Sequence, residues 1–361
     1  MEKTDRLLSL DALRGFDMLF IIGLSAVITS LCNAFGFGDE CWLARQMRHV
    51  SWHGFVQHDT IFPLFLFIAG VAFPFSYAKM LEKGWPFRKI AGKLVGRGLM
   101  LVMLGMIYNG LFMKGLGEVR WASVLGRIGI AWMFAAFLYM TLSWRIRVAV
   151  AAGLLVGYWA LMRFIVVPGA PAGADPWSPE WNLAAYVDKL LLPNANKVDP
   201  EGLLSTIPAV VTAMLGMFTG EFVRRKGGGK TMIMLTAAMA MLTVGLVWSK
   251  WMPVNKNLWT STFVLVSGAY SLALFAVFYW IIDVKMWRGW TTFLRVVGMN
   301  AITIYLLQRI VDMDSISKFF LLGIADLLPH EFGAVLLSLG HFTVCWLILF
   351  FLFRKGVFMK V

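Results

Sequence analysis

The sequence predicts an all-α integral membrane protein that crosses the bilayer about ten times, with both termini on the cytoplasmic side. Three observations carry this. Residues of the AVILMFWYC class make up 59% of the 361-residue chain and charged residues only 15%, against about 45–50% and about 25% in an ordinary globular domain. Mean hydropathy is +0.73, more apolar surface than a water-exposed shell hides. The apolar residues also fall in runs of about 20, the length that about 1.5 Å of rise per residue needs to cross about 30 Å of hydrocarbon. A soluble enzyme, a disordered chain and a disulfide scaffold are excluded.

In chain order the runs are 12–32, 60–80, 94–113, 121–142, 146–167, 203–222, 232–251, 258–282, 293–310 and 332–353. The first contains Arg14 and Asp17 and has no A-x-A-like cleavage site, so it is a retained span and not a signal peptide. A further stretch, 316–328, is too short to cross and is expected at the interface or re-entrant. The longest connection, 163–202, is rich in Pro, Gly, Asp and Trp and reads as an outer-side cap or substrate-side loop. The whole chain, 1–361, is otherwise one transmembrane domain. No pair of broken helices shows in corresponding halves. Gly227–Gly229 is a turn without a flanking strand and so not a phosphate loop.

The formal charge is +13, but the basic residues are scattered between apolar runs, so they report topology and no nucleic-acid partner is expected. Connections that include Lys3, Arg6, Lys83, Arg88, Lys89, Arg224, Arg225 and Lys360 outnumber in Lys and Arg those that include Arg45, Arg48, Lys189 and Lys197. Positive-inside bias then places both termini in the cytoplasm. Cys32, Cys41 and Cys345 fit no disulfide framework and no metal spacing; membrane-helix packing is their default role.

Polar residues at membrane depth carry the functional information, because a central Arg or Asp costs about 2.5–3.5 kcal/mol on insertion scales. Asp11, Arg14 and Asp17 recur every three residues and can form an acid–base–acid ladder on one helix face. Arg14 is either part of that structural ladder or a cation meeting an anionic ligand at the cytoplasmic mouth of a cavity. The segment 49–59, HVSWHGFVQHD, holds three of the five histidines and a carboxylate. Histidine is the side chain suited to moving protons near neutral pH, and a neighbouring Asp fixes its tautomer. His49 and His53, four apart, also have helical metal spacing, but with no obvious third ligand beyond His58 or Asp59 no metal is expected. Arg127 lies in the fourth run as a counter-ion for Asp59 or a ligand contact. PVNKNLW, 253–259, is a rigid polar loop in which Asn255 and Lys256 can hydrogen-bond a sugar or carbonyl; the alternative is a helix cap with an interfacial Trp anchor. Asn300 is an interhelical hydrogen-bonding residue or a substrate contact.

Several of these segments together resemble the heparan-α-glucosaminide N-acetyltransferase family: LSLDALRG (8–15), HVSWHGFVQHDTIFPLFLFIAG (49–70) and PVNKNLWTSTF (253–263). VLGRIG (124–129), IDVKMW (282–287) and GMNAITIY (298–305) fit the same pattern. The resemblance implies a bacterial transmembrane enzyme that uses cytoplasmic acetyl-CoA to acetylate the amine of a glucosamine-type sugar outside. It places the catalytic histidine at His49 and its aspartate at Asp59, with His49 as general base or transient acetyl carrier. Trp52, Arg127, Asn255, Lys256 and Asn300 become substrate-contact candidates, and Arg14 a candidate for acetyl-CoA. The expected setting is the bacterial inner membrane, and the size of the chain is compatible with a homodimer. The rival reading is a proton-coupled amino-sugar (N-acetylglucosamine) transporter, which a His–Asp pair among ten spans also suits.

Overall fold

A computed structural model describes residues 7–194 and 199–359; Lys3, Arg6, Lys197 and Lys360 of the charge-bias argument lie outside them. Every regular element among the described residues is helical. Among the described residues, nine helices are long and apolar enough to cross a membrane: Leu8–Ala34, Gln57–Glu82, Phe87–Tyr108, Val124–Thr141, Trp144–Phe164, Thr206–Arg224, Lys230–Trp248, Ser261–Val284 and His330–Arg354. Eight match an expected run to within four residues; the third, Phe87–Tyr108, starts seven and ends five residues before the expected 94–113. The chain is thus a multi-pass membrane protein.

The tenth expected run, 293–310, is not one helix. It divides into Thr291–Gly298 and Ala301–Ile310, of 8 and 10 residues, each rising only about 12–15 Å, half the hydrocarbon thickness. The interruption has a local cause. At Asn300 the backbone leaves helical geometry (φ −122°, ψ 29°), and the side chain takes over: its amide donates to the Val357 carbonyl at 3.1 Å and its Oδ1 accepts from Thr303 Oγ1 at 3.3 Å. The stretch expected at 316–328 is a 13-residue helix, Met313–Ala325, too short to cross.

The chain forms two compact units. One comprises the described residues up to Val50, Val56–Ile61 and the described residues from Val277 onward; the other comprises Ser51–Phe55 and the described part of Phe62–Ala276.

In the first unit, Leu8–Leu19 packs on Thr291–Gly298 through glycines. A Cβ on Gly15 would stand 1.8 Å from the Leu294 carbonyl oxygen, and one on Gly298 2.2 Å from that of Asp11. Small residues let membrane helices approach at backbone distance, where van der Waals contact replaces the missing hydrophobic drive. The first span is itself bent by a π turn, Phe20–Leu24, in which Gly23 has φ 126°, a conformation open to glycine and strained for other residues. Beyond the bend, Ser25–Ala34 packs on His330–Arg354, with Ser30 Oγ 3.1 Å from Ser338 Oγ.

The second unit uses the same device. Gly70 and Gly216 bring Gln57–Glu82 and Thr206–Arg224 together, a Cβ on either falling within about 2.2 Å of the other helix's backbone. The connection 163–202 contains a helix, Leu183–Leu191, capped by Asn182 Oδ1 accepting from Ala185 N–H at 2.7 Å. Trp177, Leu183 and Ala184 bury against Tyr158, Met162, Met252 and Leu258, so the loop is a packed cap. The span expected to begin at 258 begins at Ser261, because Trp259 holds a left-handed backbone (φ 48°). Trp259 is fully buried, its Nε1–H donating to Thr212 Oγ1 at 3.2 Å, and not an interfacial anchor.

Candidate active site

Asp59 lies in a one-turn 3₁₀ helix, Gln57–Thr60, that opens the second span. The turn is fixed on three sides: Asp59 N–H donates to the Val56 carbonyl at 3.1 Å, Thr60 Oγ1 to the Gln57 carbonyl at 2.7 Å, and Gln57 N–H to Gln46 Oε1 at 3.0 Å. The Asp59 side chain is 1% exposed and that of His49 56%. Between them runs a 2.6 Å bond from His49 Nδ1 to Asp59 Oδ1, and Val50 N–H points at Asp59 Oδ2 from 3.4 Å. A buried carboxylate accepts the Nδ1 proton and so places the imidazole lone pair on Nε2. An exposed ring with a fixed tautomer can take a proton from a neighbouring amine.

His58 tilts against His49, ring centroids 4.5 Å apart, and its Nδ1 lies 3.2 Å from Ser25 Oγ. From the sequence His58 offers itself only as a candidate third metal ligand; its partner Ser25 is an ordinary hydroxyl in an apolar run, without a sequence signal.

Arg14 is held by Asp11, Nη1 to Oδ1 3.7 Å, as the ladder predicts. Asp17 is not the third rung. It is buried, and among the described residues neither carboxylate oxygen has a hydrogen-bond partner. Ser9 N–H donates to Asp283 Oδ2 at 3.3 Å, joining the 8–15 and 282–287 segments. Asn300, at the helix break, spends its amide on Val357 and Thr303.

His49, Asp59, Arg14 and Asn300 belong to the first unit; Trp52, Arg127, Asn255 and Lys256 belong to the second. Arg127 is fully buried, with Nη2 donating to the Gly202 carbonyl at 3.0 Å and to Ser205 Oγ, and its guanidinium 5.1 Å from the Trp259 ring centre. Its Nε and Nη1 have no hydrogen-bond partner among the described residues. Such a cation in a dry interior attracts any oxygen that reaches it. The neighbouring Arg120 is closed by Asp199 and Glu201; burial works against its charge, but the two carboxylates prevail and raise its pKa.

Asn255 joins two loops. Its Nδ2 lies 3.2 Å from His53 Nδ1, its Oδ1 accepts from Leu258 N–H at 2.9 Å, and Gly54 N–H donates to the Val254 carbonyl at 2.9 Å. Lys256 is half-buried on the same loop. Trp52 Nε1–H donates to the Trp177 carbonyl at 2.8 Å, tying segment 51–55 to the cap. Partial burial lowers the pKa of His53, with Asp175 opposing. Among the described residues no group of three or more His, Cys, Asp or Glu side chains is placed to hold a metal ion.

No protein-family model matches the sequence. Two curated proteins do. Mouse heparan-alpha-glucosaminide N-acetyltransferase is 28% identical over 94% of this chain and 59% of its own length, and the human protein of the same name is 26% identical over 99% and 60%. The chain therefore spans about three fifths of the length of the relatives it matches. Similarity to both over nearly the whole chain supports its membership of the heparan-alpha-glucosaminide N-acetyltransferase family.

Proposed function

We propose that this chain is a transmembrane N-acetyltransferase that moves the acetyl group of cytoplasmic acetyl-CoA to the amine of a glucosamine-type sugar outside, in a bacterial inner membrane. The observation that carries the reading is the exposed His49 ring bonded through Nδ1 to the buried Asp59 carboxylate, in a chain 26–28% identical to named acetyltransferases.

An ammonium has no lone pair, so the sugar nitrogen must lose a proton before it attacks. His49 Nε2 takes that proton, and Asp59 stabilises the resulting imidazolium. The amine then attacks the thioester carbonyl, the C–N bond forms, and the C–S bond breaks. Arg14, in the same unit as His49, suits the nucleotide end of the donor.

Purified protein in liposomes, given labelled acetyl-CoA and glucosamine, is expected to produce labelled N-acetylglucosamine. His49→Ala should lower the rate by about 10²–10⁴-fold, the usual range for a general base, and Asp59→Asn in the same direction. Native turnover that survives His49→Ala would overturn the assignment. The interrupted helices at Gly23 and at Met299–Asn300 are the one feature that favours transport; uptake of labelled sugar without acetylation is the result that would replace the enzyme with a transporter.

A further inference from the structure

A second His–Asp pair stands in the same unit as His49. His341 Nδ1 lies 2.7 Å from Asp314 Oδ1, the His341 side chain 20% exposed and that of Asp314 69%. His341 Nε2 lies 3.3 Å from Gln308 Nε2. The pair borders a cavity of about 390 Å³ whose polar lining also includes Ser25, Gln308, Ser317, Lys318 and Ser338. At about 30 Å³ per water, it has room and hydrogen-bonding partners for a short chain of waters. Ser25 is both a wall of this cavity and the partner of His58, which in turn touches His49.

We propose that these groups form the proton exit of the acetyl transfer, running His49, His58, Ser25, the wet cavity, His341 and Asp314. The proposal rests on the acetyltransferase reading and deepens it. The stoichiometry leaves one proton to be cleared: an ammonium has three protons and the amide product keeps one. Of the two that leave, one joins the departing thiolate as the coenzyme thiol and the other is left on His49, which must lose it before the next turnover. Both substrates have to meet the exposed side of the His49 ring, so the side against His58 is the one left for the proton. His58 and Ser25 can each accept and donate, the cavity waters carry the proton across, and the exposed Asp314 carboxylate beside His341 hands it to bulk water.

The bend in the first span belongs to this device. Without the π turn at Phe20–Leu24, Ser25 would continue the regular helix, and the turn sets it between His58 and the cavity. Gly23 also lines the cavity, and a Cβ there would stand 3.1 Å from His341 Cδ2, so the missing side chain keeps room for the ring.

The test uses the full chain in liposomes and reads acetyl transfer from labelled acetyl-CoA to glucosamine. His58→Ala and His341→Ala should each lower kcat by about tenfold, within the range of lost proton transfer, with KM for both substrates unchanged. Added imidazole should restore most of the loss, and the solvent deuterium isotope effect on kcat should rise. Asp314→Asn, which keeps the shape of the carboxylate, should behave likewise. Native kcat in all three variants, or losses that imidazole does not restore, would overturn the relay while leaving the acetyltransferase reading in place. Absence of transfer by the native chain would overturn that reading itself.

Discussion

His49 and Asp59 divide one task by burial: the carboxylate is hidden, so its charge acts on a single partner, while the ring remains open to a reactant. The two are ten residues apart with a non-helical segment between them, and a 3₁₀ turn closes it. Asp188 shows burial with a different result. Its Oδ1 accepts from Leu203 N–H at 2.7 Å, yet a Cβ on Gly202 would stand 1.6 Å from Oδ2, so the carboxyl is enclosed. Burial pushes its pKa up to about 6, with the Leu203 bond opposing. The ordinary carboxylate value is about 4, so between about pH 4 and 6 the folded chain holds a proton that the unfolded chain has lost. Its contribution is therefore most favourable below about pH 4 and falls as pH rises through 6. Asp188→Asn removes this slope: its melting midpoint should fall less than the native one between about pH 4 and 7. Equal slopes in the two proteins would show that Asp188 does not titrate there.

Helix pairs in this protein are set by which glycines face a neighbour. Gly298 meets the backbone of Asp11 and Gly15, atoms that cannot swing aside as a side chain can, whereas Gly96 in Phe87–Tyr108 has nothing within 4 Å. Gly298→Ala is expected to force the two helices apart and cost about 1–3 kcal/mol or more. Gly96→Ala should be neutral or stabilising by up to about 1 kcal/mol, since it only restricts the unfolded chain. Thermal denaturation in detergent separates them, and similar midpoints for both variants would refute the close-packing account. Hydropathy reports where a helix is apolar; it does not report which of many glycines bears on a partner. The same limit hid the break at Met299–Asn300. Asn300 stood out as a costly polar residue, but that its amide replaces helix bonds with a bond to Val357 requires the end of the chain to be nearby.

Parity decides the topology of the whole chain. The nine spanning helices among the described residues would alone put the termini on opposite sides; Thr291–Gly298 and Ala301–Ile310 together have the length of one more crossing and would return them to one side. The charge bias favours the second arrangement. Tags at the two ends should be cut by protease added to the same face of sealed vesicles. Cleavage from opposite faces would show that the broken helix does not traverse the membrane.

Composition and run length alone determined that the chain is helical and membrane-embedded, because insertion depends on summed transfer energy over about 20 residues and not on neighbours. The motif at 49–59 likewise marked His49 and Asp59 as reactive candidates. Which groups pair was decided only by folding. Ser25 reaches His58 because Gly23 bends the first span, His341 meets Asp314 across two helices, and Arg127 finds Gly202 and Ser205 rather than a rung of its own helix. These contacts join residues far apart in sequence, and their geometry depends on where bends and glycines allow backbones to meet, information that local pattern does not contain.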